Sequence, residues 1–382
     1  VHLKSLHFYD NRREDRWFLR MEADARIPHC RYRRIAAENL TGVVRLNLPG
    51  EVRLENLAAQ TPGGRDAAGS VTFSLKNDPE CRLQVKGATD PNSILASIIN
   101  NWPETPPVHF TPPCLGSFSG TIPLDDPGAV TLRGAAEQIA RLDLGPLPFQ
   151  NVAGQWEWAE NCLTIKEIDA DLHGGRFAGN GKYCFTVRRG DLVFNAKDMQ
   201  LQPLLAGFGG GGTVEQEGLL DISEADIGVY HTGENHELGL EGTAALKLRE
   251  SSLWQIPIFS KLASLLRVSL VRKIVGLGDI TQCSADLKLD GDTVRIRDFR
   301  TNGTVISLRG MAPGTYNWRT QALRLAVRGE ILKKTVIVPL ITTPLSWLFE
   351  AELRGTRAQP EWRLLNAVKE GIFGGQNAPE DE

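Results

Sequence analysis

The chain has 382 residues, 41% of them hydrophobic and 23% charged, which excludes a disordered polymer and gives apolar material for one to three folded domains. A net charge of −3, with the basic residues dispersed, leaves no electrostatic footprint for nucleic acid. The 38 glycines stand above the usual share of about 7% and point to many turns between short strands.

Val1 and Leu3 open the chain directly in strand-like alternation, as in a fragment of something longer whose anchor or export signal lies upstream. Segments 43–48 and 52–57 flank Pro49-Gly50, and segments 71–75 and 81–85 flank Asn77-Asp78-Pro79, each pair reading as a hairpin. After Asp90-Pro91-Asn92-Ser93, a good cap and first turn, residues 94–99 read as a helix. The proline-rich stretch 103–113 reads as a loop, and a domain boundary is expected near Gly116.

From there the alternation is regular. Leu163 and Ile165 alternate, the phase slips at Lys166-Glu167, and Ile168, Ala170 and Leu172 resume it, which is the sequence form of a β-bulge. His173-Gly174-Gly175 turns the chain into segment 177–185, and Gly190-Asp191 turns it into Leu192, Phe194 and Ala196. Leu246 and Leu248 close a further strand. Residues 256–274 have helical periodicity. Phe259, Leu262, Leu266, Leu270 and Ile274 lie on one side, Ser260, Lys261, Ser264 and Arg267 on the other, and Arg272 and Lys273 add to an all-positive charge. Cys283, Ala285, Leu287 and Leu289 then alternate up to Asp290-Gly291, and Val294 and Ile296 alternate on the way back, the strongest hairpin in the chain. Asn302-Gly303 and Pro313-Gly314 read as the next turns, before Leu323, Leu325 and Val327. Segment 335–349 is apolar but broken by Pro339 and Pro344, and no run of about 18 or more apolar residues predicts a helical membrane span. The end, from residue 366, reads as a disordered tail.

No catalytic constellation emerges. Glycines 207 and 209–212 satisfy GxGxxG formally, but the following residues read as loop and strand rather than the helix a dinucleotide site needs. His231 and His236 flank a loop without metal-site spacing. In Gly-Ser-Phe-Ser-Gly, with Ser117 and Ser119, phenylalanine holds the place of a nucleophile-elbow serine. Asp169 and Asp171 share a solvent-facing strand side. Trp156 and Trp158, two apart on one strand, read as aromatic core or groove rim, with a sugar-stacking platform as the other use. The six cysteines contain no CxxC; Cys162 and Cys184 fall on neighbouring strands, and both a disulfide and buried free thiols fit them.

A sheet with one apolar and one charged face needs a second sheet, a helix or an apolar ligand to cover it, and alternation alone does not choose. The order of segments does carry a resemblance. Ile168-Asp-Ala-Asp-Leu-His-Gly-Gly-Arg-Phe-Ala-Gly-Asn-Gly181 comes first, then Met199-Gln-Leu-Gln-Pro-Leu-Leu205 and Leu240-Glu-Gly-Thr-Ala-Ala-Leu-Lys-Leu248. The helix opened by Trp254-Gln-Ile-Pro-Ile-Phe follows, then Ala285-Asp-Leu-Lys-Leu-Asp-Gly and Leu353-Arg-Gly-Thr-Arg-Ala-Gln-Pro-Glu-Trp-Arg363. Over residues 154–363 this resembles the AsmA-like C-terminal region of Gram-negative envelope proteins. The resemblance implies a mainly β fold, a long twisted antiparallel meander curved into an open apolar-lined groove, with one or two amphipathic helices. It implies a non-enzymatic periplasmic protein, anchored to the inner membrane by an upstream segment, that binds or conducts phospholipid or another acyl lipid between the membranes, with no cofactor and no metal. The groove is expected to be lined by Leu163, Ile165, Leu192, Phe194, Leu246, Leu248, Leu287, Leu289, Val294, Ile296, Leu323, Leu325 and Val327, with helix 256–274 able to meet a membrane surface. The expected organisation is a β-rich unit over 1–115, the groove region over 116–365 and a tail over 366–382. The rival is a closed β-sandwich or solenoid used for adhesion or glycan binding through Trp156 and Trp158.

Overall fold

The computed structural model describes residues 1–11, 16–32, 35–61, 65–76, 78–98, 108–126, 128–207, 217–232, 237–270, 279–304, 306–331 and 349–367. Among the described residues the fold is mainly β, with 21 strands and three short α-helices, and the strand pairings whose registers are described are antiparallel. The chain divides into two compact units, Val1–Asp191 and Leu192–Glu382. The boundary expected near Gly116 is therefore corrected: Gly116 sits mid-strand, paired with Gly87 on one side and Ala136 on the other.

The first unit holds β1 (His2–Asn11), β2 (Arg16–Tyr32), β3 (Ile35–Leu48), β4 (Glu51–Thr61), β5 (Arg65–Ser74) and β6 (Glu80–Ala88), then α1 (Pro91–Ile98). It continues through β7 (Val108–Pro123), β8 (Thr131–Leu144), β9 (Leu147–Ala159), β10 (Cys162–Leu172) and β11 (Gly175–Cys184). Each strand pairs with the next, from β1 to β11. The part of the proline-rich stretch that is described is strand and not loop, since β7 starts at Val108. Pro112 and Pro113 fit because they lie beyond the end of β6 and at a register shift against β8, where no ladder N–H is required. Residues 99–107 lie outside the described residues.

Bulges recur inside the strands. Asn39, Asn56 and Asn151 have φ of 50°, 52° and 50°, each at a register shift, the left-handed conformation that asparagine tolerates best among side-chain-bearing residues. Such bulges bend a strand and increase its twist. The slip at Lys166-Glu167 is another of them, between Ile165 and Ile168. Asp90 caps α1, its Oδ1 accepting from the Ser93 N–H at 3.3 Å, and Asn92 pins the helix to β7 through Nδ2 to Phe110 O (2.8 Å) and Phe110 N to Oδ1 (3.0 Å).

The second unit takes in most of β12 (Arg189–Gln200), then α2 (Leu201–Gly207), β13 (Leu219–Thr232) and β14 (Glu237–Arg249). A 3-10 turn (Leu253–Gln255) leads into α3 (Pro257–Leu270), followed by β15 (Ile280–Gly291) and β16 (Thr293–Gly303). Next come β17 (Ile306–Gly310), β18 (Gly314–Asn317), β19 (Leu323–Ile331), β20 (Phe349–Gly355) and β21 (Pro360–Ala367). Pro313-Gly314 does not reverse the chain. β17 and β18 both pair with β16 and with β19, so the prolyl segment breaks one strand position into two pieces. The reversal lies instead between Asn317 and Leu323, where Asn317 Oδ1 accepts from the Arg319 and Thr320 N–H groups at 3.1 and 2.8 Å. The tail also starts later than expected, since Asn366 and Ala367 belong to β21; residues 368–382, the apolar run 332–348 and the helix continuation 271–278 lie outside the described residues.

α3 is a core element. Leu262 and Leu266 are 0% exposed and pack with Val327, Phe349, Ala351 and Leu353 of the sheet. Phe259 stacks on Phe299 and tilts against Trp362, and Trp362 Nε1 donates to Ile258 O at 2.7 Å. Trp362→Phe is expected to lower stability by about 1 kcal/mol, read as a shift in the denaturant midpoint, because it removes the indole hydrogen bond to that carbonyl. The other side of α3 is partly engaged too: Lys261 Nζ donates to Pro360 O at 3.1 Å.

On the opposite side of β20, Glu350 and Glu352 are each 8% exposed. Hydrogen bonds from Asn366 and Arg328 hold the Glu350 carboxyl below its ordinary range, and Arg354, with Arg324, does the same for Glu352 against the opposing effect of desolvation. A carboxylate whose pKa falls on folding stabilises the native state above its unfolded pKa, about 4.3 for Glu, and loses that contribution as pH falls through the folded value. The second unit is therefore expected to lose melting temperature below about pH 4.3. A Glu350→Gln, Glu352→Gln double variant is expected to show a flatter acid limb in the same melts.

Candidate functional site

The paired registers of the first unit place one apolar face across β1–β7, β9 and β10. Leu6 and Phe8 sit opposite Met21 and Leu19, Val44 opposite Leu54, Val71 opposite Leu83, Val85 opposite Phe118, and Trp156 opposite Ile165. Within this face runs one line of small residues. Ala59 pairs with Ala67, Ala67 with Gly87, Gly87 with Gly116, Gly116 with Ala136 and Ala136 with Gly154. This makes a floor across six strands, about 24 Å long at the usual strand spacing. The floor cannot fill itself: a Cβ on Gly154 would collide with the Glu167 carbonyl oxygen, and one on Gly116 with that of Ala135. Large side chains, Phe118, Trp156 and Ile165 among them, rise along one side of the line.

α1 lies over this floor, touching both β3 and β7. It leaves a hollow on either side, with Ile94 and Phe118 lining both. The hollow over β7–β10 has a volume of about 180 Å3 and is lined by Gly116, Ala136, Ile139, Val152, Gly154 and Trp158 among others. The hollow over β3–β6 has about 250 Å3, bounded by Leu40, Leu57, Ala67, Val71 and Val85. An apolar cavity of ~150 Å3 already stays dry and takes a benzene-sized guest. The aromatic end wall is well knit. Trp158 lies 5.3 Å from Phe185, Phe185 4.9 Å from Tyr183, and Trp156 6.3 Å from Phe118. Beside it Cys162 and Cys184 form a disulfide across β10 and β11. Trp158 is 3% exposed, so the pair Trp156 and Trp158 does not present two open rings for sugar stacking.

Leu163 and Ile165 both line the β7–β10 hollow. Leu192 and Phe194 are half-buried on β12, on the side of the buried Ala196. The other nine residues expected in the groove share one face of the second unit. Leu246 follows Ala244, which faces Leu287; Leu287 and Leu289 face Ile296 and Val294; Val294 faces Tyr316, which faces Leu323; and Leu325 and Val327 continue that side. Five of the nine are engaged by the core cluster around α3. Leu325 and Val327, 4% and 0% exposed, belong to the core beneath α3, and Leu287, Ile296 and Leu323 pack against it. Alternation gave the face, but the helix returning onto it is a tertiary choice that period two does not encode. Leu246, Leu248, Leu289 and Val294 stay half-buried outside that cluster.

The small-residue floor was missed in the sequence, although a signal was there: Ala58-Ala59, Ala67-Ala68-Gly69, Gly134-Ala135-Ala136 and Ala153-Gly154 each put two or three small residues inside a strand. Of the motifs weighed and set aside, Ser117 and Ser119 lie on β7, Asp169 and Asp171 are bound by Arg176 and Asn151, and His231 lies on β13; residues 208–216 and His236 lie outside the described residues. Among the described residues no cluster of three His, Cys, Asp or Glu side chains is placed to hold a metal, and no helix is long and apolar enough to cross a membrane. Searches of protein-family models, curated proteins and solved structures return no match to the chain.

Proposed function

We propose that the chain is a non-enzymatic lipid-handling protein whose first unit holds the acyl tails of a phospholipid, or another acyl lipid, in the trough floored by small residues. The observation that carries this reading is the unbroken floor from Ala59 to Gly154 with its two apolar hollows. Half the hydrocarbon thickness of a bilayer is about 15 Å, the span of one tail, and the floor is longer than that. Leaving such a face bare to water is unfavourable by roughly 25 cal/mol per Å2 of apolar surface, so a hydrocarbon guest is the chemistry it fits. The disulfide supports an oxidising compartment. Together with the AsmA-like order of segments, it supports a site of action in the periplasm, between inner and outer membrane, as part of the proposal.

Lipid extraction and mass spectrometry of protein purified from membrane-free extract tests the reading. Bound phospholipid or fatty acid, near one or more molecules per chain, is the expected result. Lipid-free protein that also takes up no phospholipid from vesicles would sink it.

A further inference from the structure

Trp158 is the one tryptophan that lines the trough while buried to 3% exposure, and its Nε1–H meets no acceptor among the described residues. A buried donor without a partner is unfavourable by about 1–3 kcal/mol, and native folds rarely leave one without use. Apolar side chains pack around it, among them Val130, Leu132, Leu163 and Phe185. The wall at the end of the hollow marked by the Cys162–Cys184 bridge thus carries a buried indole donor without a partner, in a lining that also includes Trp156, Ser117 and Gln155.

We propose that Trp158 sets the direction of the bound lipid, its Nε1–H donating to the carbonyl or carboxylate oxygen of an acyl group whose tail runs along the floor towards Ala136 and Gly116. This rests on the acyl-lipid reading and narrows it to ligands with an oxygen acceptor at the first carbon of the chain. The polar end would then lie beside Tyr183, whose register partner Leu163 also faces Trp158. Burial pushes the Tyr183 phenol up, and Arg188 pulls against that, so a cation stands close to the same end of the trough. Nε1 is shielded from solvent, so entry of the acyl end has to shift a neighbouring side chain; Phe185, past the end of β11, half-buried and with its ring centroid 5.3 Å from that of Trp158, is the group assigned to that movement.

The test compares palmitic acid, its methyl ester and hexadecane, each delivered from cyclodextrin to the whole chain. The indole N–H signal of Trp158, identified by its loss in Trp158→Phe, should move downfield with the acid and the ester and stay in place with hexadecane. Trp158→Phe keeps one aromatic ring and removes the N–H together with the five-membered ring that carries it, so hexadecane serves as the control for the lost volume. The substitution should weaken acid and ester binding roughly five- to tenfold more than it weakens hexadecane binding, and lower the melting temperature only through the small cavity it leaves. A response to the acid alone would assign the acceptor to a free carboxylate; a response to both assigns it to an acyl carbonyl, as in a glycerolipid. If all three ligands bind the wild type and the variant alike and the indole signal does not move, the directing role is overturned while the trough remains a lipid site. If none binds, the lipid reading itself falls.

Discussion

Leu325→Asp is expected to unfold the second unit, while Leu289→Asp, on the same face of the same sheet, leaves it folded. Leu325 is 4% exposed and sits opposite Leu353, under the Leu262 and Leu266 side chains of α3. A carboxylate there has no cation within the cluster and no route to water. Such a substitution costs about 4–5 kcal/mol or more, a large part of the 5–15 kcal/mol that holds a typical domain together. Leu289 is half-buried, faces Val294 and Gly242, and lies outside the cluster, so its replacement keeps solvent contact. Thermal melts with hydrogen exchange resolved by segment separate the two. Leu325→Asp should lose protection across β15–β21 with the first unit still protected, and Leu289→Asp should lose only a few degrees. Equal tolerance of both would mean that α3 does not hold the sheet as its packing implies.

That contrast also shows where the sequence was legible. The alternation of Leu287 with Lys288 and of Leu325 with Arg324 fixes which face each side chain takes, because a shift of one residue would turn every apolar group outward. The bulge at Lys166-Glu167, the Asp290-Gly291 turn and the α1 cap at Asp90 were legible for the same local reason: their chemistry is complete within a few residues. What covers the face was not legible. α3 meets β19, β20 and β21 some sixty to a hundred residues downstream, through pairs such as Trp362 Nε1 to Ile258 O, and no local period records such a contact. Pro313-Gly314 misled because a turn dipeptide marks a break in the ladder as readily as a reversal of it. The floor leaves no mark in the pattern of large apolar residues. A groove is defined by where side chains are missing, and the small pairs at Ala67-Ala68, Ala135-Ala136 and Ala153-Gly154 acquire meaning only when register lines them up across neighbouring strands.

Ala136→Phe should abolish lipid carriage while leaving the fold intact. Ala136 is the fifth member of the line from Ala59 to Gly154, and both of its cross-strand partners, Gly116 and Gly154, lack side chains. A benzyl group at that place has open floor on either side and would rise into the β7–β10 hollow, whose volume is about 180 Å3. Aromatic side chains pack well over cross-strand glycines in antiparallel sheets, so the change in stability should stay within about 1–2 kcal/mol and either sign is acceptable. The ring would dam the trough between Ile94 of α1 and the floor, and a tail about 15 Å long could no longer lie across it. Arg133→Phe, on the exposed side of the same strand, adds the same ring to β8 without entering the hollow and serves as the control. Bound phospholipid, counted by mass spectrometry against folded protein, should fall at least tenfold in Ala136→Phe and stay at the wild-type level in Arg133→Phe. Undiminished lipid in a well-folded Ala136→Phe would show that the tails lie elsewhere on the protein, and the small-residue floor would then have to be read as a packing feature of the bowed strands alone.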